Sequence, residues 1–255
     1  MTRIAIKKQP PMKAIIIDDE PLAREVIKEY LAGTAAIEVA AECGDGFEAV
    51  KAIAQHQPDL IFLDIQMPKI SGFELLELLD APPSVIFTTA FDEYAIRAFE
   101  ANAVDYLLKP FARDRFDKAI QKFMQQAGSP ARDLSPLIES AAEHATQQHR
   151  IVVKVNNAIK IIPLQDIHFL EAADDYVKIH TADSYFLKNK TMQYFEKTLP
   201  PQQFVRVHRS YMVNISFITR LDPYEKDGYV AVLRTGPHIP VSKTGYPKLK
   251  TVLGL

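Results

Sequence analysis

The sequence contains almost no cysteine and no long apolar run. Cys43 is the single cysteine in 255 residues, so no disulfide can form within the chain, and we expect a reducing compartment. No apolar run approaches the roughly 20 residues that cross a bilayer. Residues 1–11 carry basic side chains without the apolar core of a secretory signal, and we expect a disordered lead there. These features predict a cytoplasmic protein that is not inserted into a membrane.

The two halves of the chain differ in charge. Residues 12–127 contain 11 Lys and Arg against 20 Asp and Glu, a net charge of −9. Residues 151–255 contain 14 Lys and Arg against 9 Asp and Glu, a net charge of +5. An acidic half followed by a basic half indicates two modules with different partners.

A five-stranded parallel sheet is predicted for residues 12–127. Short runs that are apolar on both faces alternate there with helical patterns, as in sheets covered by helices on both sides. The runs cover 13–18, 37–43, 59–65, 84–90 and 103–109, and the helices cover 21–33, 46–56, 72–80, 92–101 and 113–127. Right-handed crossovers give a doubly wound α/β domain, whose ligands bind at the carboxyl ends of the strands.

The remainder of the chain has a different pattern. Residues 128–150 contain turn formers and a thin apolar stripe, and we interpret them as a linker with helical tendency. From residue 151 to 255, β-branched and aromatic segments alternate with turn residues at intervals of roughly 8–12 residues, which is typical of a mostly β, antiparallel domain. Short helices are expected at 191–199 and 244–252.

Polar side chains close four of the five predicted strands, and they are Asp18, Asp19, Asp64, Thr88, Thr89 and Lys109. In the strand order 2-1-3-4-5, the first and third strands are neighbours, so three carboxylates converge at one edge. Their repulsion raises carboxylate pKa values, and a hard cation such as Mg²⁺ relieves it. The set predicts a phosphoryl-transfer site in which Asp64 is the nucleophile, Lys109 neutralises phosphoryl oxygens and Thr89 donates a hydrogen bond.

The phosphoryl group has to come from another molecule. The sequence has no glycine-rich loop that could cradle a nucleotide phosphate, which argues against a complete enzyme. A haloacid-dehalogenase-like phosphatase with an aspartate nucleophile is an alternative. Such enzymes usually carry a D-x-D pair, whereas Gln66 stands two residues after Asp64. We therefore expect a phosphoryl acceptor that is not an enzyme.

Four segments resemble the receiver domain of bacterial response regulators: IIIDDEPLAR, FLDIQMP, TTAFDEYAIRAF and AVDYLLKP. The resemblance covers residues 12–127. It implies that a sensor histidine kinase supplies the phosphoryl group to Asp64. It also implies a Mg²⁺ ion held by Asp19, Asp64 and the backbone carbonyl of Gln66, with Asp18 acting through water.

The same resemblance implies a response to phosphorylation. Lys109 would pair with the phosphate, which adds about −1.5 to −2 charge. Thr89 would be drawn towards it, leaving room into which Tyr106 rotates. The remodelled face comprises the fourth predicted helix, the fifth strand and the last helix, and the resemblance implies a symmetric homodimer there. Charged residues assigned to that face are Glu93, Arg97, Asp105, Arg113 and Arg115.

The segment HRSYMVN, residues 208–214, bears on the role of the basic domain. No G-x-S-x-G elbow surrounds Ser210, and the histidines of this half lack the paired spacing of metal ligands. A nucleic-acid contact fits better, because arginine binds both guanine edges and phosphates. Alternation in FVRVHRSYMVN puts one set of side chains on an apolar face, namely Val205, Val207 and Met212, and leaves Arg209 at a turn or bend. Solvated surface charge is the alternative.

Three segments resemble the LytTR DNA-binding domain: DIHFLEAADDYVKIHT, LPPQQFVRVHRSYMVNISFI and HIPVSKTGYPKLK. The resemblance covers residues 151–255 and implies loops that enter successive major grooves of direct-repeat, double-stranded DNA. Candidate base contacts are Arg209, Lys243 and Tyr176, and candidate backbone contacts are His208, Lys188 and Lys248. A structural role is an alternative for His208, which could bond a neighbouring loop, and for Asn214, which could fix the strand bend.

The sequence as a whole predicts a phosphorylation-controlled transcriptional regulator that dimerises and binds direct-repeat DNA. Engaging two half-sites at once gives a dimer affinity through effective concentration. Contacts to phosphates make such binding fall steeply with salt. The remaining alternative is a phosphorylation-switched signalling module whose β domain binds a protein.

Overall fold

The computed structural model describes residues 10–90, 103–126, 149–156, 158–224 and 228–255. The chain divides into two compact units, residues 1–141 and 142–255. Within the parts of the chain that the structure describes, no helix combines the length and the apolarity needed to cross a membrane.

Apolar strands build the parallel sheet of the first unit. The strands are β1 (Met12–Ile17), β2 (Ile37–Cys43), β3 (Leu60–Leu63), β4 (Ser84–Thr89) and β5 (Asp105–Leu108). Their order is β2-β1-β3-β4-β5, as the sequence predicts. The described helices are α1 (Pro21–Leu31), α2 (Gly46–His56), α3 (Gly72–Glu77) and α4 (Arg113–Gln126). The predicted helix at 92–101 lies outside the described residues.

Burial and capping explain these elements. Every residue of β3 is fully buried, which is what a central strand covered on both faces requires. Asp45 caps α2 by accepting hydrogen bonds from the backbone N–H groups of Phe47 and Glu48. Ser71 and Glu74 form a capping box at the start of α3. These caps fix where each helix begins after its strand.

A close backbone approach holds α3 against the end of β3. A Cβ atom at Gly72 would collide with the backbone carbonyl oxygen of Asp64. The Gly72 N–H also donates to the carbonyl of Ile65 at 2.8 Å. Glycine at this position therefore keeps the segment after β3, which carries Asp64, tightly placed.

The second unit is mostly β. It contains a hairpin of β6 (Arg150–Val155) and β7 (Ala158–Pro163). An antiparallel sheet in the order β10-β9-β8-β12-β11 comprises β8 (Phe169–Ala173), β9 (Tyr176–His180), β10 (Tyr185–Lys188), β11 (Phe204–His208) and β12 (Tyr211–Asn214). A second antiparallel sheet comprises β13 (Ile218–Tyr224), β14 (Gly228–Leu233) and β15 (His238–Val241). The helices are α5 (Met192–Thr198) and α6 (Gly245–Leu253), close to the two predicted.

Two apolar clusters pack on opposite faces of the five-stranded sheet. Successive residues along a strand point to opposite faces. Phe204 belongs to the cluster that includes the β6–β7 hairpin and α5, whereas Val205 and Val207 belong to the cluster that includes the second sheet and α6. The assignment of Met212 to the face of Val205 is wrong. Met212 packs with Phe204, because directly paired residues share a face and Met212 is paired with Arg206, which lies two residues from Phe204 along β11.

Candidate functional site

Three carboxylates meet at the carboxyl edge of the parallel sheet. Asp18 and Asp19 follow β1, and Asp64 follows β3, the neighbouring parallel strand. One carboxylate oxygen from each residue lies within 4.8 Å of the others. Asp18 is completely buried and Asp64 is 6% exposed. The expected convergence of these acids is therefore present in the structure. Buried carboxylates this close together need a neutralising cation.

Lys109, at the end of β5, supplies part of the positive charge. Its Nζ lies 2.7 Å from Asp18 Oδ2 and 3.2 Å from Asp64 Oδ2. Burial raises the pKa of Asp18, and the nearby ammonium offsets only part of that rise. Burial alone would lower the pKa of Lys109, but its bonds and charge interactions with both acids hold the pKa above its usual value. The lysine is therefore charged in the folded protein.

Two buried hydroxyls lie at the end of β4, next to β3 and β5. Thr88 and Thr89 are completely buried, and neither Oγ1 has a hydrogen-bond partner among the described residues. The Lys109 N–H donates to the Thr89 carbonyl at 2.8 Å, which fixes the end of β5 beside β4. A buried hydroxyl without a partner is costly in a finished core, and it is suited to receiving an incoming acceptor. Tyr106 on β5 is also buried.

Sequence reasoning missed two residues of this site. Glu20 Oε2 lies 3.2 Å from Lys109 Nζ, as a third carboxylate on the same ammonium. Arg24 donates from Nη1 to the Asp18 carbonyl at 2.6 Å. Their positions in the sequence could have identified both residues, because Glu20 is the third consecutive acid after β1 and Arg24 lies in the first turn of the helix that follows, α1. The predicted ligand residue Gln66 is exposed, and its N–H donates to Asp64 Oδ1 at 3.2 Å.

Asp105 is not a surface residue of the expected dimer face. It is 7% exposed and accepts two hydrogen bonds from Arg115, at 2.7 and 2.8 Å. Arg115 also donates to the Tyr106 carbonyl at 2.7 Å. Burial alone would raise the pKa of Asp105, but Arg115 and the backbone hydrogen bond from Tyr106 outweigh it and lower the pKa. Strand β5 begins here in the core, so this acid needs an intrachain partner. Glu93 and Arg97 lie outside the described residues.

The basic domain presents Arg209 and Lys243 on two exposed turns that converge on β11. Arg209 lies in the turn between β11 and β12. Lys243 lies in the turn before α6, and Ser242 in that turn bonds the Val207 carbonyl through both its N–H, at 2.8 Å, and its Oγ, at 3.0 Å. A Cβ atom at Gly245 would collide with the same carbonyl. The Lys243 turn is thus anchored two residues away from Arg209.

The other candidate DNA contacts are placed differently. Tyr176, at the start of β9, is 44% exposed. Lys248 is exposed but donates to Glu196 Oε1 at 2.9 Å. Lys188, on β10, donates from Nζ to the Val152 carbonyl at 2.9 Å, and this bond ties its ammonium to the β6–β7 hairpin. His208 Nδ1 accepts a hydrogen bond from the Ser210 N–H at 3.2 Å, inside its own turn.

Asn214 has a structural role. It is completely buried, and its Nδ2 donates to the carbonyls of Leu164 and Ile167 at 3.3 and 2.9 Å. Its Oδ1 accepts from the Ser216 N–H at 3.1 Å and caps a short 3₁₀ turn. The side chain thereby fixes the chain where β12 ends, which agrees with the structural alternative for this residue.

The parallel sheet with its acidic edge and the separate β domain define a two-module signalling protein. A family model described as "Response regulator receiver domain" matches residues 14–121, and one described as "LytTr DNA-binding domain" matches residues 157–254. Both matches fall on the units described above.

Several curated relatives match almost the whole chain. A "Sensory transduction protein LytT" of Bacillus anthracis is 32% identical over 95% of this chain and 99% of its own length. A "Transcriptional regulatory protein BtsR" of Escherichia coli K12 is 34% identical over 96% of this chain and 100% of its own length. An "Uncharacterized response regulatory protein" of Vibrio cholerae is 36% identical over 95% of this chain and 99% of its own length. The chain belongs to the response regulators that join a receiver domain to a LytTR DNA-binding domain, and it is a transcriptional regulator.

Proposed function

We propose that Asp64 accepts a phosphoryl group from a sensor histidine kinase and that this modification controls DNA binding. The observation that carries the proposal is the acidic cluster of Asp18, Asp19 and Asp64, in which the Lys109 ammonium bridges Asp18 and Asp64. Asp64 lies at the carboxyl ends of the strands with a cation beside it, and its side chain is 9% exposed whereas that of Asp18 is fully buried, so of these two carboxylates Asp64 is the one that an incoming phosphoryl group can reach. Transfer forms the Asp64 Oδ–P bond and breaks the bond between phosphorus and the phosphodonor.

The donor set fits a Mg²⁺ ion. Three carboxylates with oxygens within 4.8 Å of one another supply the hard ligands that this ion prefers. Asp19, Asp64 and the carbonyl of Gln66 would hold it, with Asp18 acting through water. When bound, the ion neutralises negative charge that builds up during phosphoryl transfer. Lys109, at the end of β5, would neutralise another phosphoryl oxygen.

The buried hydroxyl of Thr89 is a suitable sensor of the new phosphate. Because its Oγ1 has no partner among the described residues, it can donate to a phosphoryl oxygen without breaking an existing bond. Phosphate brings about −1.5 to −2 charge and strong acceptors to this edge. Tyr106 and Arg115 would carry the change outwards, since the Arg115 guanidinium bonds the Tyr106 carbonyl and Asp105 together. The altered face would form the homodimer.

The β domain would contact DNA through the Arg209 and Lys243 turns. The two turns are tied to one short stretch of β11, so they are presented as a unit. Arg209 can donate two parallel hydrogen bonds to a guanine, and Lys243 offers a point charge. A dimer would place two such domains on direct-repeat half-sites. A protein with these partners would act in the cytoplasm.

The test compares DNA binding before and after phosphorylation. Wild-type protein, D64N and the matched control D59N are incubated with an acyl-phosphate donor and Mg²⁺, and then titrated with duplex DNA enriched from a random pool. Asp59 directly precedes β3, the strand that Asp64 follows. It is exposed, and its carboxylate accepts a hydrogen bond from the backbone N–H of Lys13 at the amino ends of the strands, away from the acidic cluster. The donor should strengthen binding for wild type and D59N and leave D64N unchanged. An equal gain for D64N would contradict the proposal.

A further inference from the structure

One carboxylate ties together three elements beside the Arg209 turn. Glu196 on α5 accepts hydrogen bonds from Arg206 Nη1 on β11 and from Lys248 Nζ on α6, both at 2.9 Å. Arg206 also donates from Nη2 to the backbone carbonyl of Arg209 at 3.1 Å. The guanidinium therefore holds the carboxylate with one nitrogen and the turn with the other.

The carboxylate is ionised where it lies. Burial alone would raise the pKa of Glu196, but the hydrogen bonds from Arg206 and Lys248 outweigh burial and lower the pKa. The side chain of Glu196 is 35% exposed, and that of Lys248 is 57% exposed. Solvent therefore reaches this ion pair, and a DNA phosphate could compete with Glu196 for the lysine.

The fixed Arg209 turn and the Glu196–Lys248 ion pair both bear on DNA recognition. A guanidinium fixed at two points limits the backbone conformations of the turn that presents Arg209, and preorganised contacts favour the correct sequence. A carboxylate near phosphates repels any DNA, whatever its sequence, and lowers the affinity for every duplex. Specificity is the ratio of two affinities, so the fixed Arg209 turn changes this ratio, whereas the restraint on Lys248 changes the absolute affinity and its salt dependence.

We propose that Glu196 is a positioning and specificity-determining residue: through Arg206 it fixes the Arg209 turn, and through Lys248 it restrains a cation from indiscriminate phosphate contact. This inference rests on the DNA-binding function proposed above. Glu196 itself touches no DNA in this scheme. Its effect appears in discrimination between sequences and in the salt dependence of binding.

The test uses the full-length protein and three variants. E196Q removes the negative charge and so weakens the hold on both cations, although its amide oxygen can still accept a hydrogen bond. R206K keeps the charge of the network, but an ammonium replaces the planar fork that joins Glu196 to the Arg209 carbonyl. D222N is the matched control, because it makes the same acid-to-amide change in an Arg pair, Arg220–Asp222, that is exposed and outside the network. Affinities are measured for a duplex enriched by wild-type protein from a random pool and for a duplex of shuffled sequence.

For E196Q we expect the ratio of the two affinities to fall about tenfold, comparable to the effect of one wrong base pair. The slope of log affinity against log salt on the shuffled duplex should steepen by about one, since one more phosphate contact becomes available. R206K should lower the ratio without steepening the slope. D222N should keep the wild-type ratio.

Two results would overturn the inference, and they are distinguishable. If wild-type protein enriches a duplex but E196Q matches D222N in ratio and slope, Glu196 has no positioning role while DNA binding stands. If wild-type protein enriches no duplex and shows no salt-dependent binding, the proposed DNA-binding function fails and this inference fails with it. Circular dichroism melts of each variant identify lost binding that comes from unfolding.

Discussion

Replacing Lys109 with methionine should destabilise the receiver unit strongly in the absence of divalent cations. Methionine keeps the length of the side chain but removes the charge that lies 2.7 Å from Asp18 and 3.2 Å from Asp64. The lysine side chain is 14% exposed and the two aspartate side chains are 0% and 9% exposed, so water cannot solvate the carboxylates that lose their cation. Leaving buried charges unpaired costs about 3–5 kcal/mol. Glu20 adds little to the cost, because its side chain is 66% exposed.

Mg²⁺ should recover much of this loss. A ligand that binds the folded state alone stabilises it by about 2.7 kcal/mol when its concentration is 100 times its Kd. K109M leaves more uncompensated negative charge than the wild type, so the cation should bind more tightly and stabilise K109M more than wild type. The rescue separates a charge effect from damage to packing, because a packing defect would not respond to the ion.

Urea unfolding followed by far-UV circular dichroism measures the effect, since the chain has no tryptophan to report by fluorescence. K69M is the control, because Lys69 also lies 3.2 Å from an aspartate, Asp45, but its side chain is 62% exposed. Breaking such a surface pair should cost about 0–1 kcal/mol. An equal loss of stability in K109M and K69M, or a Mg²⁺ stabilisation of K109M no larger than that of wild type, would show that Lys109 does not neutralise these buried carboxylates.

Three further outcomes follow from the geometry. R115M should lower the stability at neutral pH by about 1–2 kcal/mol, a value reduced because the Arg115 side chain is 38% exposed. The pair lowers the pKa of Asp105, so its contribution to the free energy of unfolding is complete above the unfolded carboxyl pKa, about 3.9, and is lost as pH falls through the folded pKa. Urea titrations at several pH values should therefore show the stability of R115M approaching that of wild type in acid. Burial raises the pKa of the Cys43 thiol to about 12, so iodoacetamide at neutral pH should label it only in urea, and rapid labelling of native protein by mass spectrometry would contradict the structure. G245A should displace the start of α6 from the Val207 carbonyl, at a cost of about 1–3 kcal/mol, and a melting curve equal to wild type would refute that contact.

The receiver unit was largely predictable because its signals are local. Doubly apolar runs locate the strands, and the parallel arrangement places residues after β1 and β3 at one edge. This sufficed to bring Asp18, Asp19 and Asp64 together. The burial of Asp105 was not predictable in this way, because a charged residue at the start of a strand is usually exposed. Its partner Arg115 lies ten residues further along the chain, on a helix.

The β domain was predicted less completely because its contacts are long-range. Val205 and Val207 were correctly assigned to one apolar face, but Met212 was wrongly placed with them, because its pairing with Arg206 across the turn puts it on the other face. Lys188 and Lys248 carry the positive charge expected of DNA contacts. Their ammonium groups nevertheless bond a carbonyl and a carboxylate that are distant in sequence. Charge counted along a sequence does not reveal such pairings.

The most direct test of the account is the intact mass of the protein after incubation with an acyl-phosphate donor and Mg²⁺. Wild-type protein and D59N should each gain the mass of one phosphoryl group, and fragmentation should locate it at Asp64. D64N and wild-type protein without a divalent cation should gain none. An unmodified wild type under conditions that phosphorylate a folded receiver control, or a phosphoryl group located at another residue, would contradict the central claim.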